Sequence, residues 1–300
     1  MKRILKWIGI ILGGLAGFVL LTAVILHFVG LSRLNNAPEV AAKPVAAPTD
    51  AAALARGEHL VNNVGSCGMC HGENLGGQVF FDGEVGSYVF AANLTAGAGG
   101  IGATFSDADW ERAIRHGVGG DGRVLVIMPS NFYQHLSDAD LGAIIAYLKA
   151  APPVDNDLGV RRIGFPGSVL GGTIGFNDFT RINGIDHANV GANSPTEGST
   201  AEYGAYMVSI AMCGECHAAN LAGIVGEDGP PPGPNLTPGG DLGGWTEADF
   251  MAAIRTGQTP DGRSLDAEQM PWTIFSQMSD TELQAIWIYL QSLPALPDNS

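Results

Sequence analysis

The chain has 300 residues, a formal net charge of −15, 46% hydrophobic residues and four cysteines. With 30 acidic residues against 15 basic ones it lacks the basic surface that phosphate backbones require, which argues against a nucleic-acid partner. Glycine (43) and proline (17) make up a fifth of the sequence, short of the disordered range, so the composition predicts ordered, loop-rich domains, two of them at roughly 150 residues each.

The N-terminal block comes first. Lys2, Arg3 and Lys6 precede a run from Trp7 to Leu31 that is apolar except for Thr22 and His27. About 20 apolar residues cross a bilayer, and this run is longer than the ~7–15 residue core of a secretory signal, with no convincing small-x-small cleavage site after it. Residues 1–33 therefore read as an uncleaved membrane anchor. Basic flanks stay in the cytoplasm, which places the chain from about residue 32 outside the cytoplasmic membrane. Gly9, Gly13 and Gly17, four residues apart, either form a helix-packing face or reflect the ordinary glycine content of membrane helices. His27 reads as an interfacial residue, with a functional role inside the membrane as the alternative. Residues 34–50, "LNNAPEVAAKPVAAPTD", are rich in Ala and Pro and predict a tether holding the remainder off the membrane. That remainder is strongly acidic, which serves solubility or steers a basic protein partner.

From residue 51 the chain repeats itself. "FSDADWERAIRHG" from Phe105 returns as "WTEADFMAAIRTG" from Trp245, "DGR" at 121–123 returns at 261–263, and "NLT" at 93–95 returns at 235–237. Likewise "MPSNFYQHLSDADL" from Met128 aligns with "MPWTIFSQMSDTEL" from Met270. The copies span 51–153 and 199–300, each predicted to hold the same helices. The first runs over Ala51–Val64 or Ala201–Met212. The second starts at Ser106 or Thr246, and the third at Ser137 or Ser279, each with an acid three positions on, the capping-box pattern. Pro152 and Pro294 stop the third helix. No strand pattern is evident, so the predicted class is all-α. Residues 154–198, glycine-rich and without a long helix, read as an interdomain linker on the surface, with His187 exposed in it.

Each copy opens on a cysteine motif, "CGMCH" from Cys67 and "CGECH" from Cys213. A structural zinc site needs four ligands, yet each motif begins its own repeat. A thioredoxin-like pair wants a βαβ setting that the pattern does not offer. The adjacent histidine decides the matter: C-x-x-C-H is the attachment pattern of haem c, with both thiols bonded to the porphyrin and the histidine an axial iron ligand. Cys67, Cys70 and His71 are thus candidates to hold one haem, and Cys213, Cys216 and His217 a second. For the opposite axial position, Met128 and Met270 occupy equivalent places in the repeat and are each followed by proline, whereas lone methionines commonly only fill a core. His59, His116 and His135 are rivals for the first iron, but none has a histidine counterpart in the second copy, which favours surface or packing roles.

On these residues each copy resembles a class I cytochrome c domain, and the tandem resembles the membrane-anchored multihaem cytochrome c subunits of bacterial periplasmic dehydrogenases. The shared pattern is C-x-x-C-H, N-L-T with Asn93 and Asn235, a capped acidic helix, M-P and a C-terminal Y-L helix. Those subunits usually carry three haems, and this chain has motifs for two. The resemblance implies that a proline carbonyl orients the haem histidine, matched by Pro234 in the second copy and replaced by Ala92 in the first. It also implies that the first and last helices cross at Gly57 with Tyr147 and at Gly204 with Tyr289. The expected function is single-electron transfer between periplasmic redox partners: a dehydrogenase or quinol-oxidising complex as donor, an oxidase or soluble cytochrome as acceptor. A di-haem peroxidase and a mainly docking role in a larger complex are the alternatives.

Overall fold

The computed structural model describes residues 2–191, 195–224 and 233–299; Met1 and residues 192–194 of the segment between the copies lie outside it. A helix α1 (Lys2–Asn35) of 34 residues is apolar enough to cross a membrane. It is followed by α2 (Ala51–His59), which Asp50 caps by accepting from the Ala52 and Ala53 amides and which continues as a π-helical turn through Val64. Next come α3 (Cys67–His71), strands β1 (Gln78–Asp82) and β2 (Ser87–Ala91), α4 (Asp107–His116), α5 (Ser130–Tyr133) and α6 (Asp138–Ala150). Between the copies lie β3 (Arg162–Ile163), α7 (Gly167–Val169) and α8 (Phe176–Thr180). The second copy repeats the helices as α9 (Ala201–Ile210), α10 (Cys213–His217), α11 (Glu247–Thr256), α12 (Trp272–Phe275) and α13 (Asp280–Ser292).

Caps set the register of these helices. Ser106 with Asp109 and Thr246 with Asp249 make both arms of the capping box, as does Ser279 with Glu282. At α6 only one arm forms. Ser137 accepts from the Asp140 amide, but the Asp140 carboxylate turns away to Arg56 (2.9 Å) and the Tyr206 hydroxyl (2.6 Å), where a charge-assisted contact outweighs a cap. In each copy the first and last helices cross on a glycine. A Cβ at Gly57 would stand 2.0 Å from the Ala143 carbonyl, and one at Gly204 1.9 Å from that of Ala285, with the Cβ atoms of Tyr147 and Tyr289 next to them.

The fold is mainly helical as expected, with a small antiparallel sheet in the order β1-β2-β3, two strands from the first copy and one from the segment after it, while two expectations about the connecting segments need correction. Alternation along β2 buries Ser87, Val89 and Ala91, and Gly83 and Gly86 make the turn at positive φ. The supposed tether instead lies along the first copy: Leu34 and Val45 are buried, Ala37 donates to the Gly122 carbonyl, and Gly142 lets the Ala46 carbonyl approach. Residues 154–191 are likewise packed, at one end onto α1 and at the other onto α5, where Gln134 bonds Gly184, Asp186 and Gly191.

The copies share one continuous apolar core, from Val45, Leu60 and Trp110 to Met207, Phe250 and Leu290. Their contact is reciprocal: α5 packs on α9, and α12 packs on the π turn that ends α2. Each copy's Met-Pro helix therefore meets the segment leading into the other's cysteine motif. Arg56 spans the boundary, bonded to Asp140 of its own copy and to Glu282 (2.8 Å) and Tyr203 of the other.

Candidate haem sites

The two cysteine motifs adopt the same local geometry. Each short helix starts after a residue in the left-handed region, Ser66 (φ 52) and Met212 (φ 58), and ends at another, Gly72 (φ 79) and Ala218 (φ 66). Leu75 and Leu221 are left-handed too, and their carbonyls accept from the amides of Leu94 and Leu236. In the first copy this turn brings both sulfurs and the histidine to the wall of one cavity.

The histidines are fixed by backbone acceptors. His71 donates from Nδ1 to the Ala92 carbonyl and His217 to that of Pro234, both at 2.7 Å. A carbonyl only accepts, so Nδ1 carries the proton and Nε2 keeps its lone pair for a metal. Burial lowers both imidazole pKa values, which keeps them neutral and able to ligate. In the second copy Gly233 is required for this approach, because a Cβ there would stand 2.8 Å from the His217 Nδ1.

Asn93 and Asn235 hold the acceptor loops by identical networks. The Thr95 amide and hydroxyl donate to Asn93 Oδ1 (2.9 and 2.8 Å), and Asn93 Nδ2 donates to the Val154 carbonyl (2.7 Å). Thr237 and the Leu296 carbonyl do the same for Asn235 at 2.8, 2.7 and 2.8 Å. These asparagines thus tie the loop under the histidine to the chain leaving the last helix.

In the first copy the parts converge. A cavity of about 530 Å³ is lined by Cys67, Cys70, His71, Asn93 and Met128, together with Trp110, Tyr133 and Leu148. That volume is in the usual range for cofactor pockets, roughly 300–1,000 Å³. Its wall is mainly apolar, with sulfur and imidazole donors grouped in it, and this donor set fits haem c. Burial pushes the Cys67 and Cys213 thiols up to about 12, the reverse of the lowered pKa that makes a redox-active C-x-x-C pair. Among the described residues no group of three or more His, Cys, Asp or Glu side chains converges on one position.

The rival histidines do not line the cavity. His59 bonds Glu282 (2.7 Å) across the copies, and His135 is exposed. His116 is buried, its Nδ1 2.8 Å from that of His187 in a stacked pair, so His187 is half-buried on the first copy rather than free in a linker.

Several lining residues were not singled out from the sequence. Arg123 and Arg161 bring positive charge to the cavity. The repeated "DGR" did signal the first; nothing local signals the second, which arrives from outside the repeat and bonds the carbonyls of Val124 and Leu34. Burial, then Arg123 beside it, lowers the Arg161 guanidinium to about 10, still charged at neutral pH. Tyr133 donates to the Gly65 carbonyl (2.6 Å) just before the motif. Ile210 and Met212 of the second copy close the cavity from across the boundary.

Comparison with known proteins agrees with this geometry. Residues 52–148 match the family described as cytochrome c oxidase, cbb3-type, subunit III, and residues 201–294 match the cytochrome c family. The chain is 28% identical over 281 residues to a fructose dehydrogenase cytochrome subunit of Gluconobacter japonicus, covering 84% of this chain and 55% of that one. It is 28% identical over 268 residues to a diheme cytochrome c-type protein of Cereibacter sphaeroides (80% and 86%). It is 26% identical over 300 residues to the cytochrome c subunit of a quinone alcohol dehydrogenase of Gluconacetobacter polyoxogenes (83% and 57%). The chain spans just over half the length of the two dehydrogenase subunits. The chain therefore carries two cytochrome c domains, matched over residues 52–148 and 201–294, with two haem c groups.

Proposed function

We propose that the chain is a membrane-anchored, two-haem electron carrier that takes single electrons from a periplasmic dehydrogenase or a quinol-oxidising complex and delivers them to an oxidase or a soluble cytochrome. In this reading Cys67 and Cys70 would hold the first haem by thioethers and His71 and Met128 would ligate its iron. Cys213, Cys216, His217 and Met270 would do the same for the second. The observation that carries the assignment is the convergence of Cys67, Cys70, His71 and Met128 on one largely apolar cavity. Haem supplies a one-electron iron couple whose potential follows from its ligands, nearby charge and burial.

The chain's own residues do the rest. Ala92 and Pro234 hold the histidines, Pro129 and Pro271 stiffen the backbone after the methionines, and the apolar walls keep water away. Met212 lines the first cavity and is bonded in sequence to Cys213 of the second motif. Met212 thus links the lining of the first cavity to the second motif, which would let electrons pass between the two groups within the chain. α1 anchors this unit in the cytoplasmic membrane, with Lys2, Arg3 and Lys6 inside and both cytochrome domains on the periplasmic side.

A redox titration of the full chain in detergent, followed in the visible spectrum, tests the reading. Two one-electron steps are expected, and each ferric haem should show the long-wavelength charge-transfer band of methionine ligation. Met128→Ala and Met270→Ala should each remove that band from one haem. Survival of both bands in either variant would refute the ligand assignment.

A further inference from the structure

The segment between the copies packs against the end of α1 that faces out of the membrane. Ser168, fully buried, bonds His27 at 2.6 Å. Thr173 donates to the Leu26 carbonyl (3.1 Å), and Arg33 lies 3.7 Å over the Phe176 ring. Phe165 stands edge-on to His27. Gly30 meets the Ser168 carbonyl and Gly172 so closely that no side chain fits there.

Counting places this contact within the bilayer boundary. Some 20 apolar residues after Lys6 reach Leu26, so the hydrocarbon ends near His27. The face of α1 turned to the segment is already half-buried at Thr22 and Ala23, five residues earlier. At about 1.5 Å per residue that is about 7 Å below the boundary, matching the ~5–10 Å depth of interfacial segments. The far side of the segment is apolar and bare: Ile174 is 74% exposed, Phe165 58% and Leu170 48%, continuous with the exposed Ile25, Phe28 and Val29 of α1. Of the arginines between residues 160 and 181, Arg161 lines the first cavity and Arg181 is paired with Glu215, which leaves the exposed Arg162 to meet headgroups.

We propose that residues 164–175 are a second membrane contact, seated in the outer leaflet beside α1 with Phe165, Leu170 and Ile174 in lipid. The inference rests on α1 crossing the membrane. It gives His27 a partner at a depth where water is scarce, and it seats the first domain on the bilayer at a fixed height instead of leaving it on a loose tether.

The test uses the full haem-loaded chain in phosphatidylcholine and phosphatidylglycerol vesicles. With the four native cysteines tied to haem, an added cysteine is the one free thiol for a nitroxide label. Ile174→Cys is compared with Val19→Cys on α1 and Glu268→Cys on the second domain by collision with dissolved oxygen, which concentrates in lipid, and with a water-soluble nickel chelate, which is excluded. The expected result is an oxygen-to-nickel ratio at 174 that resembles position 19 and exceeds position 268 several-fold. A lipid-like label at 19 with a water-like one at 174 would overturn the proposal and leave the anchor standing. Water-like labels at both would remove the anchor and this inference with it. A label at 174 reached by neither reagent would mean that protein, not lipid, covers the segment, and would also overturn it.

Discussion

The two cytochrome domains hold the same donors by the same local devices yet are enclosed differently. Both use a left-handed entry into the motif, a carbonyl under the histidine and an Asn-Thr clamp. Around them, the first site borrows from outside its repeat: Arg161 comes from the segment after α6, and Ile210 and Met212 from the second domain. Among the described residues the second domain differs at two matched positions. Phe275 stands where Tyr133 reaches the Gly65 carbonyl, and Arg263, counterpart of Arg123, is exposed and paired with Asp261 and Asp241. What the copies share is what grips the group; what differs sets its surroundings.

Removing one grip at a time breaks the symmetry most strongly. Replacing Cys67 and Cys70 together by serine should lower the haem-to-protein ratio from two to one by pyridine haemochrome assay. Because the core is continuous across the copies, it should also lower the unfolding temperature of the second domain. The reciprocal variant, Cys213 and Cys216 to serine, should likewise leave one haem per chain, held at the first site.

The boundary itself comes next. Glu282 is buried and receives both Arg56 and His59. Glu282→Ala removes the buried acceptor shared by Arg56 and His59 and should cost about 3 kcal/mol in thermal or denaturant unfolding. Although burial alone would raise it, bonds from His59, the Ser279 amide and Arg56 hold its carboxyl at about 2, below the ordinary 4.5. A depressed carboxylate contributes stability that is complete above about pH 4.5 and is lost as pH falls toward 2. Wild-type stability should therefore decline on acidification through that window more steeply than that of Glu282→Gln.

Smaller changes probe the surroundings. Arg161→Gln removes a buried positive charge from the first cavity alone, so the potential of one haem should fall by some tens of millivolts while the other stays put, as read by potentiometry. Tyr133→Phe makes the first site resemble the second and should cost about 1 kcal/mol, the worth of one hydrogen bond.

Much of this was legible because it is local. The cysteine motifs, the Ser and Thr caps and the stops at Pro152 and Pro294 depend on residues a few positions apart, and the repeat doubled every signal. The crossings at Gly57 and Gly204 followed from the family resemblance. The strands were missed because five-residue runs such as "SYVFA" carry too few periods to stand out in a helical context. The Ala- and Pro-rich stretch after α1 resembles a loose tether by composition, and only the distant Gly142 shows where it lies. The half-made cap at Ser137 failed for the same reason, since Arg56 and Tyr206, which claim Asp140, are 84 and 66 residues away.

The most direct test of two closed, His/Met-ligated irons is the visible spectrum of the reduced full chain before and after carbon monoxide. No change is expected in the wild type, and gas should bind to one haem each in Met128→Ala and Met270→Ala. Binding to either haem of the unaltered protein would contradict that closure, since that iron would then have an open face.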